Sequence, residues 1–250
     1  MGRRGGSLDP TVLLDWKRRL EKRTDIGTGT KKKYLNVARV LLRELHRWHP
    51  AQIPDLGSGV RGFRVNQIHK RNPITDGELN RIWEYLRSKE DCRLTAIFGL
   101  LYYQGLRRVE VSRLSVEDFH RDSNTLLVHG KGRDDKEPVD LHPQMLIILA
   151  AYLDDAELRS GPLFPSRARP GHGLSTSMIW RLVMGVHKQL GIRKNIHAYR
   201  KVFTSKLIES GLNLLEVRQY TRHRDVSQLQ VYYDRIDKNK TLPTYYEAFG

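Results

Sequence analysis

The sequence predicts a mostly α protein with a small antiparallel β-sheet, divided into two modules. Three observations predict it: apolar residues recur at helical spacing near both ends, three short strand-like runs cluster mid-chain, and a Pro- and Gly-rich stretch at 49–72 interrupts the pattern. With 250 residues, 39% of them hydrophobic, the chain can bury a real core. No apolar run is long enough to cross a bilayer, and the start MGRRGGSLDP lacks the hydrophobic centre of a signal peptide, so a cytoplasmic location is expected. A single cysteine, Cys92, excludes an internal disulfide and any zinc site built on several thiolates.

The elements follow in order. Asp9-Pro10 makes a helix start, and Leu13, Trp16 and Leu20 recur at helical spacing behind it. IGTGT breaks the chain. A second helix is expected over 30–48, with Tyr34, Val37, Leu41, Leu45 and Trp48 on an apolar stripe opposite Lys31, Arg39, Arg43 and Arg47. These helices and the connector after them make a basic module over 1–71. The second module, 72–250, opens on PITDGELNRIWEYLRSK with Thr75 as N-cap and Glu78 three residues later, a capping box. LTAIFGLLYYQG reads as a buried helix ending at Gly105. Extended pieces near 116–119, 125–129 and 137–141, separated by HRDSN and GKGRDD, supply the sheet. Beyond Pro143 the chain reads as helices, broken by RSGPLFPSRARPGHGLST, Gly191, Gly211 and the loop around RHRDV.

A net charge of +16 implies a polyanionic partner, because such an excess costs self-repulsion. Residues 1–71 hold 17 Lys and Arg against 6 Asp and Glu, whereas 72–250 hold 27 against 22, so the first module carries most of the excess. Nucleic acid is favoured, through phosphate neutralisation with counterion release. A membrane surface is the competitor, but the N-terminal helices carry basic residues all round rather than a clean lipid face. The cations expected to meet DNA are Lys31, Lys32, Lys33, Arg39, Arg43, Arg47, Lys70 and Arg71.

Cleaving a phosphodiester without metal requires a nucleophile, cations for the non-bridging oxygens and an acid for the leaving oxygen. Arginine suits the cation role because its planar fork bonds two phosphate oxygens and stays protonated. YYQGLRRVEVSRL sets Arg107 after a helix-ending glycine with Glu110 three residues on; an ordinary solvated salt bridge is the bland alternative. Lys131 stands in LLVHGKGRDDKEPVDL between two glycines at a hairpin tip, where a long ammonium can swing, or where a plain turn lysine can sit. In NIHAYRKVFTSKLIESG, His197 and Arg200 lie one helical turn apart. His223 and the pair Tyr232 and Tyr233 follow.

The order of these pieces, Gly-Leu-Arg-x-x-Glu, Gly-Lys-Gly, His-x-x-Arg, His and then Tyr nine residues after it, resembles the tyrosine recombinases, the phage-integrase and Xer-like family. The resemblance covers about 73–240, and LSVEDF, LFPS and ESGLNLLEVRQYTRH carry it between the motifs. It implies a helical, SAM-like core-binding module followed by an α+β catalytic domain, the two closing on duplex DNA. It also implies roles: Arg107 and Arg200 clamp the scissile phosphate, Lys131 protonates the departing 5′ oxygen, His197 and His223 bond the phosphate and assist proton transfer, Glu110 orients the site, and Tyr232 attacks. Tyr233 is the alternative nucleophile. Strands would be broken and rejoined through a 3′-phosphotyrosyl bond with no metal, ATP or other cofactor, by a homo-tetramer on two double-stranded DNA duplexes that is a monomer or dimer when free.

Two other readings stay open: a type IB topoisomerase, which shares the tyrosine chemistry, and a non-catalytic DNA-binding regulator. The sequence departs from the family pattern at Arg222, where glycine is usual, at Tyr199 for a common leucine and at Lys201 for a frequent histidine. Its first module shows two clear helices where the family has four or more. The C-terminal KNKTLPTYYEAFG is apolar enough to dock on a neighbouring subunit or on its own domain. If the first module supplies mainly phosphate contacts, deleting 1–71 weakens DNA binding across all sequences and flattens the plot of log affinity against log salt, as measured by a binding titration at several salt concentrations.

Overall fold

A computed structural model describes residues 11–57, 59–64, 73–130, 135–223 and 225–233. The chain divides into two compact units, residues 1–68 and 69–250. Asp9, Pro10, Lys70, Arg71, Lys131 and the C-terminal KNKTLPTYYEAFG lie outside the described residues.

The first unit holds α1 (Val12–Lys22) and α2 (Thr28–Trp48). Leu13 and Leu20 on α1 meet Leu35 and Leu42 on α2, each pair seven residues apart, and Leu56 closes the seam. The expected apolar stripe is therefore displaced by one residue. Val37, Leu41 and Trp48 are 60%, 58% and 75% exposed, and Tyr34 and Trp16 are exposed as well. One partner helix covers only a narrow seam of α2, so most of its apolar residues stay outside among the described residues. The basic face shifts too. Lys32, Lys33, Arg43 and Arg47 are exposed, whereas Arg39 is half-buried and Lys31 donates to the Glu21 carbonyl at 3.1 Å.

The second unit opens with α3 (Asp76–Lys89), capped as predicted: Glu78 N–H donates to Thr75 Oγ1 at 3.2 Å, and Thr75 N–H donates to Glu78 Oε2 at 2.8 Å. Next comes α4 (Cys92–Tyr103), in which Ala96 to Leu101 are all buried, so this helix runs through the core rather than along its surface. After it come α5 (Arg108–Val111), a single 3₁₀ turn at Val116–Asp118, and the strands β1 (Phe119–His120), β2 (Thr125–His129) and β3 (Lys136–Asp140). The rest is helical: α6 (Pro143–Asp155), α7 (Thr176–Gln189), α8 (His197–Glu209), α9 (Leu214–Thr221) and α10 (Ser227–Tyr233). Helix α6 lies close against α4, where a Cβ on Gly99 would come within 2.8 Å of Met145 Sδ.

The sheet is antiparallel in the order β1-β2-β3. Leu126 and Val128 on β2 alternate into the core. Pro138 pairs with Leu127 on the edge strand β3, where a ladder position can lack an N–H. The strand expected at 116–119 is shorter than predicted, because Asp118 accepts from both Ser115 N–H and Ser115 Oγ at 2.9 Å and curls the chain into the 3₁₀ turn. The last β2–β3 pair is His129 with Lys136.

Gly105, in the turn after α4, has φ +55, and a Cβ there would stand 2.4 Å from Cδ1 of Phe203 on α8. Replacing Gly105 by alanine adds left-handed backbone strain to a side-chain clash, so Gly105→Ala is expected to lose roughly 2–4 kcal/mol in a denaturant melt. An unchanged midpoint would mean that the turn relaxes freely.

Candidate active site

Arg107 follows that turn and is the N-cap of α5. Its backbone N–H donates to Glu110 Oε2 at 2.8 Å and its Nη1 donates to Oε1 at 2.7 Å. Oε2 also accepts from Nη2 of Arg222 at 3.0 Å, 112 residues further along the chain. The Glu110 side chain is fully buried. Burial alone pushes its carboxyl up, but the Arg222 guanidinium and then the Arg107 N–H and guanidinium outweigh that and hold it below the usual carboxylate range.

Helix α8 begins at His197 and carries Arg200 one turn on, so the two side chains leave adjacent turns of the helix near its positive end. Arg200 is 8% exposed. Its Nη1 donates to the Gly105 carbonyl at 2.6 Å and its Nη2 to the Thr221 carbonyl, so one guanidinium joins the α4–α5 turn, α8 and the end of α9. Burial first, then the Arg107 and Arg222 charges, push Arg200 down to about 9, which leaves it cationic at neutral pH. Between His197 and Arg200, the buried Tyr199 bonds His187 Nε2 on α7 through its hydroxyl at 2.8 Å, while His187 Nδ1 bonds the Lys194 carbonyl at 2.9 Å. With Nδ1–H donating to a carbonyl, Nε2 accepts and Tyr199 donates. The pair fixes the rotation of α8 against α7.

Helix α9 ends in Thr221, whose hydroxyl donates to the Val217 carbonyl at 2.7 Å and accepts from His223 Nδ1 at 2.7 Å. That tautomer leaves His223 Nε2 with a free lone pair. Burial, followed by the charges of Arg200, Arg107 and Arg222, pushes His223 down to about 4, so its ring is neutral at pH 7. His197 moves the same way, through desolvation and then the guanidiniums of Arg108, Arg200 and Arg107. Helix α10 is held by Leu229, which packs with Ile208 of α8 and Val217 of α9; Tyr232 lies at the edge of that cluster, within electrostatic reach of Arg200. Arg222 and His223 also line an open cleft of about 420 Å³.

Of the predicted residues, Arg107, Glu110, Arg200 and His223 are thus gathered at the joined ends of α4, α8 and α9, with His197 beside them and Tyr232 on the helix packed behind. Lys131 is outside the described residues. Three contributions escape the sequence reading: the Arg222–Glu110 bond, the His187–Tyr199 pair and the carbonyls that hold Arg200. Arg222 and Tyr199 left a trace in the sequence, as departures from the family's usual glycine and leucine; the structure shows that the glycine position is the left-handed end of α9.

Residues 72–239, two thirds of the chain, match the phage integrase family. The chain belongs to that family. Among curated phage integrase relatives, the tyrosine recombinase XerD of Lacticaseibacillus casei is 33% identical over 147 residues, 55% of this chain and 48% of that protein. The tyrosine recombinase XerA of Pyrococcus furiosus is 29% identical over 181 residues, 71% of this chain and 63% of that one. The chain spans about half the length of the XerD relatives it matches. Among solved structures, the fold is similar to XerA recombinase with a TM-score of 0.60 at 20% identity, covering 99% of this chain and 86% of that one. It is also similar to the Tn1549 transposon integrase in complex with transposon right-end DNA, with a TM-score of 0.71 at 10% identity, covering 98% and 86%. The mostly helical fold with one small sheet is therefore that of the phage integrase family.

The depressed His223 predicts how this family member responds to acid. Its folded-state pKa of about 4 lies below the unfolded value near ~6.5, so the unfolded chain binds more protons between those limits. Stability is full above pH ~6.5 and falls as pH drops toward 4, by up to ~2 kcal/mol from this residue after allowing for solvent screening. In melts between pH 7 and 4.5, His223→Asn, whose amide can still donate to Thr221, is expected to show a shallower loss than the wild type.

Proposed function

We propose that the chain is a site-specific DNA recombinase or integrase that breaks and rejoins strands through a 3′-phosphotyrosyl intermediate. The observation that carries this reading is the convergence of Arg107, Arg200, His197 and His223 at one locus, beside the helix that bears Tyr232. In this reading Arg107 and Arg200 bind the non-bridging oxygens of the scissile phosphate. The Tyr232 oxygen attacks phosphorus as the bond to the 5′ oxygen breaks. The phenol proton passes to the imidazole of His197 or His223, neutral beforehand, whose basicity rises once the bound phosphate offsets the surrounding guanidiniums. Lys131 gives a proton to the departing 5′ oxygen, and a second DNA 5′-hydroxyl reverses the step on a new partner. A phenol with an ordinary pKa near ~10 is a poor nucleophile at neutral pH, and the surrounding guanidiniums favour its developing charge.

Double-stranded DNA is the substrate, with two duplexes held by a homo-tetramer and the basic residues of 1–71 on the phosphate backbone. Relatives named as recombinases, among them XerH bound to its difH substrate, support this over the alternatives. Work on chromosomal or mobile-element DNA puts the protein in the cytoplasm. A type IB topoisomerase would relax one duplex without exchanging strands, so two marked duplexes separate the readings. A regulator with a relic site would be free to lose Arg107, Lys131, His197, Arg200, His223 or Tyr232, and the sequence retains all six.

The test has two stages. Incubation with genomic DNA fragments, denaturation and sequencing of protein-linked ends is expected to recover a preferred site. A nicked duplex built on that sequence then traps the adduct, which Tyr232→Phe abolishes while DNA binding survives; Tyr233→Phe still forms it, and EDTA leaves it unchanged. An adduct persisting in both tyrosine variants would end the phosphotyrosine reading.

A further inference from the structure

Arg222 ends α9 in the left-handed region, with φ 53 and ψ 41, a conformation that glycine adopts freely and a side chain resists. A residue kept there against its backbone preference calls for a compensating use of the side chain. The Arg222 side chain is only 8% exposed and turns back into the molecule. It reaches the fully buried Glu110 at 3.0 Å, on the carboxylate whose other oxygen holds Arg107 at 2.7 Å. Its remaining bonds are few: Nη1 donates to the Tyr220 carbonyl at 3.2 Å, and Nε is buried with no hydrogen-bond partner among the described residues. One carboxylate thus stands between two guanidiniums.

We propose that Arg222 is a positioning residue that neutralises Glu110, leaving the charge of Arg107 available to the scissile phosphate. The inference rests on the recombinase reading. Charge arithmetic makes the case. Were Glu110 paired with Arg107 alone, their charges would cancel, and Arg200 would be the only net cation on these three side chains. With Arg222 present, the Arg107–Glu110–Arg222 set carries one net positive charge and Arg200 a second. A phosphodiester carries one negative charge at rest and gains another as the tyrosine oxygen adds to phosphorus, so the second cation acts mainly in the transition state. Arg222 also limits how Glu110 can turn. With Oε2 held by Arg222 and by the Arg107 backbone N–H, the carboxylate presents Oε1 to the Arg107 side chain and fixes where that guanidinium sits.

The experiment measures adduct formation in a single turnover on the nicked duplex described above, alongside DNA affinity and thermal stability. Arg222→Gly removes the guanidinium and suits the left-handed backbone, so the variant is expected to fold. It should cleave about 10- to 100-fold more slowly, the scale on which residues behind a charged site act, with affinity changed much less. Arg222→Lys keeps the charge and recovers part of the rate. The deciding variant is the double substitution Arg222→Gly with Glu110→Gln, in which no carboxylate is left to quench Arg107. It should cleave faster than Arg222→Gly alone, a coupling that a purely structural role does not generate. A wild-type rate in Arg222→Gly, or no recovery in the double variant, overturns the proposal; the latter would mean that Arg222 acts other than through Glu110. Failure of the wild type itself to form an adduct counts against the recombinase reading and takes this inference with it.

Discussion

A carboxylate with no solvent exposure is the constraint around which this site is organised. Ionised Glu110 cannot be buried unpaired without a cost of several kcal/mol, and its two guanidinium partners come from distant parts of the chain, Arg107 and Arg222. Meeting that demand brings the turn after α4 against the end of α9. Arg200 adds a second tie across the same junction, because the carbonyls it bonds belong to Gly105 and Thr221. Removing Glu110 would therefore strand buried cations as well as loosen the junction, which is why this acid is read as an organiser of the site.

Rigidity in α8 complements that junction. Its first turns carry His197 and Arg200, and two independent features limit how the helix can rotate or slide. The Phe203 ring occupies the space a side chain at Gly105 would need, and the Tyr199 hydroxyl is bonded to the buried His187. Tyr199 anchors the helix in the core, while Phe203 packs on the same glycine whose carbonyl Arg200 bonds, so the start of the helix is held on two faces. The same crowding of guanidiniums that suits a phosphate makes protonated imidazole unfavourable, and His223 stays neutral with its Nδ1 engaged by Thr221. Cation clustering thus sets the protonation state of the nearby imidazoles.

The first unit follows a different logic. Its seam is four leucines and Leu56, and α2 leaves a row of large apolar side chains exposed beside exposed Lys32, Lys33, Arg43 and Arg47. A pair of helices has too little surface to cover both faces of a 21-residue helix. The second unit, by contrast, buries the middle of α4 among α3, α5, α6, α7 and α8, and it is this unit that the family match covers.

By itself the sequence determined whatever depends on local chemistry or on order along the chain. The capping box at Thr75 and Glu78, the buried run of α4, the alternation of β2 and the helical spacing of His197 and Arg200 are all short-range, and all are present. Order and spacing of the charged motifs likewise point to the family. Tertiary structure decided the rest, because burial depends on partners that a periodic pattern does not name. Which stripe of α2 faces inward was settled by the single helix opposite it, one residue away from the expected stripe. The strand at 116–119 gave way to the pull of Asp118 on Ser115. And Arg222, legible only as a departure from the family's usual glycine, meets Glu110 because folding brings it across 112 positions to that carboxylate.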